Sequence, residues 1–189
     1  SSGIVTYALA MSPSISDDII VELYDEILSW LNPGGLLHRS RTSAIESTWT
    51  ESQCLLALTA RPGLLKARPE PLRLSDALLR QQRNGAWAYR GDGTGPQHPI
   101  STFYPLLALN RATQANWVSG LRYRDAARRT ADHSNAYLEA DRSPMDSLMA
   151  LAVLHLATAG TTNPALEQAR DRYTERFSQQ VRTCNADSF

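Results

Sequence analysis

The residues able to do chemistry are few and widely separated. Two loops hold most of them. The first, 38–46, carries Arg39, Arg41 and Glu46, and its two guanidinium groups could meet an anion or simply be solvated. The second runs from Tyr89 to Pro99 with Asp92, His98 and three glycines, which suits a binding rim or an ordered connection packed by Trp87 and Tyr89. It is not a phosphate loop, because no Lys-Ser/Thr follows the glycines and no strand precedes them. Asp92 serves the turn, and His98 beside Pro99 reads as a loop hydrogen-bonding residue before it reads as a general base. The candidate binding set is therefore Arg39, Arg41, Glu46, Trp49, Tyr89, Asp92, His98 and Tyr104; no catalytic residue, metal ligand or cofactor site is assigned.

The other reactive side chains have structural readings. Asp17-Asp18 opens a helix, where two carboxylates complement the helix dipole. His155 falls inside an apolar run and reads as a core histidine. Cys54 and Cys184 make neither a disulfide framework nor a metal signature, which fits a reducing cytoplasm. Lys plus Arg (19) balances Asp plus Glu (19), so the long-range field favours neither nucleic acid nor an anionic membrane. The basic run Arg122 to Arg129 contains Asp125 and reads as an outer-helix face. No apolar stretch reaches the roughly 20 residues that cross a bilayer.

The elements that must position these residues are helices. With 42% hydrophobic and 20% charged residues the chain has a globular balance. Apolar runs at Thr6–Ala10, Leu55–Thr59, Leu106–Asn110 and Leu148–Leu154 recur with a period of about fifty residues and have no polar face, which predicts inner helices buried on most sides. Thr48-Trp49-Thr50-Glu51 reads as a capping box, Thr102 with Pro105 as a helix start, and Ser143-Pro144-Met145-Asp146 as an N-cap with proline and an acid in the first turn. Ahead of these openings come turns at Gly34-Gly35, Asn84-Gly85 and Asn135-Ala136, each preceded by an outer helix: about Ser16 to Leu31, about Leu72 to Arg83, and about Asn116 to His133. A last helix begins at Asn163-Pro164 with Leu166, Ala169, Tyr173, Phe177 and Val181 on one stripe. The expectation is one all-α domain over residues 1–189, about three and a half αα-hairpin repeats forming a partial or open α/α toroid.

Gln81-Gln82-Arg83-Asn84-Gly85-Ala86-Trp87 resembles the Q-x-x-x-G-x-W repeat of squalene-hopene cyclases and related class II terpene cyclases. Ser47 to Leu58 resembles that family's inner-helix openings, and Gly93-Thr94-Gly95 leading to Phe103-Tyr104-Pro105 resembles its glycine-rich loop before a Phe/Tyr-Pro helix. The resemblance implies an α/α toroid in which the glutamine caps a helix end and the tryptophan stacks upon it. Activity does not follow, because the Asp-x-Asp-Asp acid motif, the zinc ligands of protein prenyltransferases and the thioester of complement-like toroids are all missing. Glu46 and Glu51 are the acids closest to where a cyclase would place its proton donor.

Three functional expectations follow. The first is a non-catalytic recognition or regulatory domain binding a protein segment or hydrophobic small molecule in a helical concavity, with the rest of the same polypeptide or another chain completing the ring. The second is part of a terpene-cyclase-like enzyme whose acid lies elsewhere, and the third is a structural spacer.

Overall fold

The computed structural model describes residues 2–38, 47–91, 93–139, 144–159 and 163–186. Among these the regular structure is helical, with only isolated β-bridges besides. The helices are α1 (Ser2–Met11), α2 (Asp17–Ser29), α3 (Thr48–Leu58), α4 (Glu70–Gln81), α5 (Pro99–Gln114), α6 (Gly120–Glu139), α7 (Pro144–Thr158) and α8 (Pro164–Ala186), with one 3₁₀ turn at Pro62–Leu65.

The odd-numbered helices pack in series, α1 on α3, α3 on α5 and α5 on α7, and each carries the following even-numbered helix beside it. Their sequences dictate this. In α3 every residue from Glu51 to Leu58 is buried: the run from Cys54 to Leu58 is apolar on all sides and finds no solvent face, and Glu51, Ser52 and Gln53 are carried inside with it. The even-numbered helices bury one stripe: Ile20, Tyr24, Ile27 and Leu28 in α2, and Leu74, Ala77, Leu78 and Gln81 in α4. In α6 the stripe is built from small residues, Ala126, Ala127, Thr130, Ala131 and Ser134. Small side chains let that helix lie close against its neighbours.

Two glycine turns fix how neighbouring helices approach one another. Gly35 and Gly85 both have φ of +84°, and a Cβ there would stand 2.4 Å from the Arg73 carbonyl oxygen in α4 and 2.1 Å from that of Arg129 in α6. The turn after α2 thus lands on α4 and the turn after α4 lands on α6, each at a distance only glycine permits. Gln82 reinforces the second landing: its Nε2 donates to Ala126 O (3.0 Å) and Thr130 Oγ1 (2.9 Å), and Arg129 Nη2 donates to its Oε1 (2.7 Å). Trp87, fully buried, donates its indole N–H to Leu78 O at 2.7 Å and so ties the turn to the end of α4.

Arg61 ties the segment after α3 to the end of α1 and the start of α2. Its guanidinium donates to the carbonyls of Ala10 (2.9 Å), Ser12 (2.6 Å) and Ile15 (3.0 Å), which finish α1 and the turn behind it, and to Asp17 (2.6 Å). Tyr24 in α2 donates its hydroxyl to Ala57 O at 2.9 Å and accepts from Arg61 N at 3.2 Å.

Four sequence expectations are corrected. The third turn does not form at Asn135-Ala136, because α6 continues to Glu139; alanine there, unlike glycine, favours the helix. α5 opens at Pro99, with Thr102 and Pro105 inside it, since Pro99 takes the first helical position behind His98. α3 is capped by Ser47, whose Oγ accepts from Thr50 N at 3.2 Å, because the Thr48 amide is engaged by Tyr89 O at 2.9 Å. His155 faces outward from α7, bonding Thr174 Oγ1 of α8 at 2.9 Å, so it is not a core histidine.

Candidate functional site

At the N-terminal ends of α3 and α5 the structure gathers the aromatic candidates. Trp49 and Tyr104 stack with ring centroids 5.4 Å apart at 15°, and Phe103 meets Tyr104 edge-on at 5.5 Å. Tyr89 is placed beside the start of α3 by its carbonyl's bond to Thr48 N, and its ring is 53% exposed. Arg39, Arg41, Glu46 and Asp92 lie outside the described residues.

His98 is committed to structure. Its Nδ1 accepts from Ile100 N at 3.2 Å while Ser101 Oγ accepts from His98 N at 3.3 Å, a reciprocal cap on α5. With Nδ1 accepting, the proton sits on Nε2, which donates to Asp146 Oδ1 of α7 at 3.0 Å. The histidine therefore joins the openings of two inner helices.

Glu51, fully buried, is equally committed. Gln81 Nε2 donates to its Oε2 at 3.0 Å and Leu37 N to its Oε1 at 3.4 Å, while the same Gln81 amide reaches Gly91 O at 2.5 Å. The carboxylate thus accepts from α4 and from the turn behind α2, and leaves the capping-box role expected of it. The basic run on α6 is likewise paired: Arg122 with Asp76 of α4 at 2.5 Å, and Arg128 and Arg129 with Asp125. Those two guanidinium groups hold the Asp125 carboxyl below its ordinary range.

At the opposite ends of the same inner helices lies a half-open cavity of about 260 Å³. Tyr7 and Met11, one turn apart on α1, form one wall. Thr59, Ala60 and Pro62 form the floor just past α3, and Arg111 and Gln114 in the last turn of α5 form the far rim. Gln114 Oε1 accepts from Arg111 Nη1 at 3.2 Å, orienting the guanidinium at the mouth. Three helix C-termini concentrate partial negative charge there, and Arg111 offsets it.

Neither a protein family, nor a curated protein, nor a solved structure matches the chain. The cavity was missed by sequence reasoning because its lining comes from three separate helix ends. The only local signal was Arg111 and Gln114 sharing a face one turn apart at the end of an otherwise apolar run. Among the described residues no group of three His, Cys, Asp or Glu could hold a metal ion, and no helix is long and apolar enough to cross a membrane.

Proposed function

We propose that the chain is a run of αα-hairpin repeats, an open or partial α/α toroid of the Q-x-x-x-G-x-W kind, serving as a non-catalytic recognition domain for a protein segment. The repeat reading is supported by the serial packing of the inner helices and by the shared φ and shared landing of Gly35 and Gly85. It is supported also by Gln81 and Trp87, which hold the end of α4 to Glu51 of α3 and to the turn that follows.

The observation that carries the functional reading is the size and chemistry of the cavity across the inner-helix ends. Small-molecule sites usually enclose about 300–1,000 Å³, and a space of about 260 Å³ lies below that range. It suits one amino-acid side chain better than an isoprenoid. Met11, Ala60, Pro62 and Ala115 offer apolar contact, while Arg111 and the Tyr7 hydroxyl stand where a carbonyl or carboxylate of the bound segment would pass. Glu51 and His98, the groups closest to catalytic chemistry, are occupied in holding helices together.

The test is a titration of the isotopically labelled protein with capped pentapeptides carrying a central leucine, phenylalanine or methionine beside an acidic residue. Saturable shifts at Tyr7, Thr59 and Gln114 are expected, with Arg111→Ala weakening the best peptide about tenfold, the worth of one charge-assisted hydrogen bond. Farnesol moving those signals while every peptide leaves them still would reverse the conclusion in favour of a terpenoid site.

A further inference from the structure

The turn that lands on α6 contains a peptide bond able to rearrange by its own chemistry. Arg83 N donates to Ala86 O and Ala86 N donates to Arg83 O, both at 2.9 Å, so Asn84 and Gly85 form a two-residue turn, with φ of +48° and +84°. Positive φ at both central positions makes it type I′. Asn84 is exposed, and among the described residues neither its side-chain amide nor the Gly85 N–H has a hydrogen-bond partner.

An asparagine followed by glycine is open to attack by the glycine nitrogen on the side-chain carbonyl carbon, because no Cβ crowds the approach. Asn84-Gly85 is the one such pair in the chain. Asn116 supplies the contrast. It too is exposed and left-handed, with φ of +61°, but Trp117 follows it, and the Trp117 N–H is engaged by Ala112 O at 2.9 Å.

The landing on α6 restrains the reaction at Asn84. In a type I′ turn the first central residue has a small positive ψ, which turns the next nitrogen away from that residue's Cγ. Ring closure therefore requires the Asn84–Gly85 peptide to rotate. Gly85 is wedged against Arg129 O, Gln82 Nε2 is bonded to Ala126 O and Thr130 Oγ1, and His133 of α6 hydrogen-bonds the Asn84 backbone, so rotation requires the turn to lift.

We infer that Asn84-Gly85 is a self-modification site, gated by the docking of its turn on α6, at which asparagine converts to isoaspartate with water as the only co-reactant. When the turn lifts, the Gly85 nitrogen bonds to Asn84 Cγ, the Cγ–Nδ2 bond breaks, and the Gly85 amide proton leaves with Nδ2 as ammonia. Water then opens the five-membered imide. Opening at the α-carbonyl carries the main chain through Cβ and Cγ and leaves a carboxylate on Cα; no oxidant or reductant enters. The lengthened backbone cannot restore the reciprocal Arg83–Ala86 pair, so the product permanently loses its seat against Arg129 O. Neither the repeat reading nor the cavity enters this chemistry.

Incubation of the purified protein at neutral pH, followed by peptide mapping that separates isoaspartate from aspartate, tests the site. Isoaspartate should accumulate at Asn84 at least about tenfold more slowly in the folded protein than in concentrated urea, since only the lifted turn reacts. Gln82→Ala, which removes the bonds to Ala126 and Thr130, should speed the folded-state reaction about tenfold while Asn116 stays unconverted. The isoaspartyl form, separated by its added negative charge, should unfold at a lower urea concentration than the unmodified protein. Equal rates at Asn84 in the folded and urea-unfolded protein overturn the gating, as does a Gln82→Ala rate that matches the wild type. Should Gln82→Ala not fold, the comparison of folded with urea-unfolded wild type still decides. Conversion at Asn116 as fast as at Asn84 overturns the assignment of the site, and an isoaspartyl form with an unchanged urea midpoint overturns the loss of the landing.

Discussion

Gly85→Ala, set against Gly93→Ala, isolates the contact that sets one unit on the next. Both glycines lie in the left-handed region, with φ of +84° and +77°. An alanine at either position incurs about 1–2 kcal/mol of backbone strain, partly offset by about 0.4–1 kcal/mol from the restricted unfolded chain. At Gly93 nothing lies within 4 Å of the added methyl, so the net cost is about 1 kcal/mol. At Gly85 the methyl would stand 2.1 Å from Arg129 O and 2.8 Å from Arg129 C, both backbone atoms of α6. Turn or helix must move, straining the Gln82 bonds to Ala126 and Thr130 and adding an overpacking cost of about 1–3 kcal/mol. The expected loss at Gly85 is therefore about 2–4 kcal/mol, a fall in melting temperature of roughly 4–16 °C for a chain of this size. Urea unfolding of both variants gives the difference directly. Costs within about 0.5 kcal/mol of one another would refute the landing geometry, because strain alone would then account for both.

Other consequences can be measured on the same protein. Trp87→Ala, which empties a fully buried indole site and removes the bond to Leu78 O, should cost about 3–5 kcal/mol in urea unfolding. Arg61→Met should cost about 2–4 kcal/mol by removing the donors to the carbonyls of Ala10, Ser12 and Ile15, of which Ser12 O keeps only the bond from Ile15 N at 3.4 Å, whereas Asp17→Asn, whose carboxylate is 65% exposed, should cost under about 1 kcal/mol. Burial lowers the imidazole pKa of His133 and of His155 from the ordinary 6.5, so the unfolded chain takes up their protons first. Their stabilisation is complete above pH 6.5 and is lost as the pH falls below it, and His133→Gln should flatten that acid limb in a urea-midpoint profile. Tyr24, pushed up to about 12 chiefly by burial, works in the opposite sense: its stabilisation is whole below pH 10 and fades as the pH rises toward 12, and Tyr24→Phe should shrink that limb, leaving the part contributed by Tyr123 and Tyr173, whose pKa values are also raised.

Much of the fold was legible because its rules are local. Apolar runs without a polar face marked α1, α3, α5 and α7, and Leu74, Leu78 and Gln81 sit where the amphipathic spacing of α4 requires. Gly85 and Trp87 could be picked out because a left-handed turn and a buried indole each restrict residue type. Where two local rules competed the reading slipped. Pro99 and Pro105 both satisfy the rule that places proline in a first turn, and only packing shows that His98 is the cap. The Arg61 cluster had no sequence signal, because backbone carbonyls accept hydrogen bonds whatever residue bears them, and an arginine after a helix reads as solvated. For the same reason the Glu51–Gln81 bond, bridging residues far apart in sequence, surfaced only with the fold. Of the candidate site, Trp49 and Tyr104 stack on one another at the starts of α3 and α5, a contact no spacing in the sequence announced, and the cavity at the far ends is likewise a product of three-dimensional packing.

The central claim, that the inner-helix ends receive a protein segment, is tested most directly by site-specific photo-crosslinking from position 11 in the full-length protein in its native cell. Met11 lines the cavity and is 58% exposed, so a photoreactive side chain there samples what enters. The predicted result is a crosslink to a defined peptide stretch whose synthetic form binds the wild type saturably and binds Arg111→Ala about tenfold more weakly. A crosslink to lipid or isoprenoid alone, or a peptide that binds both proteins equally, would contradict the account.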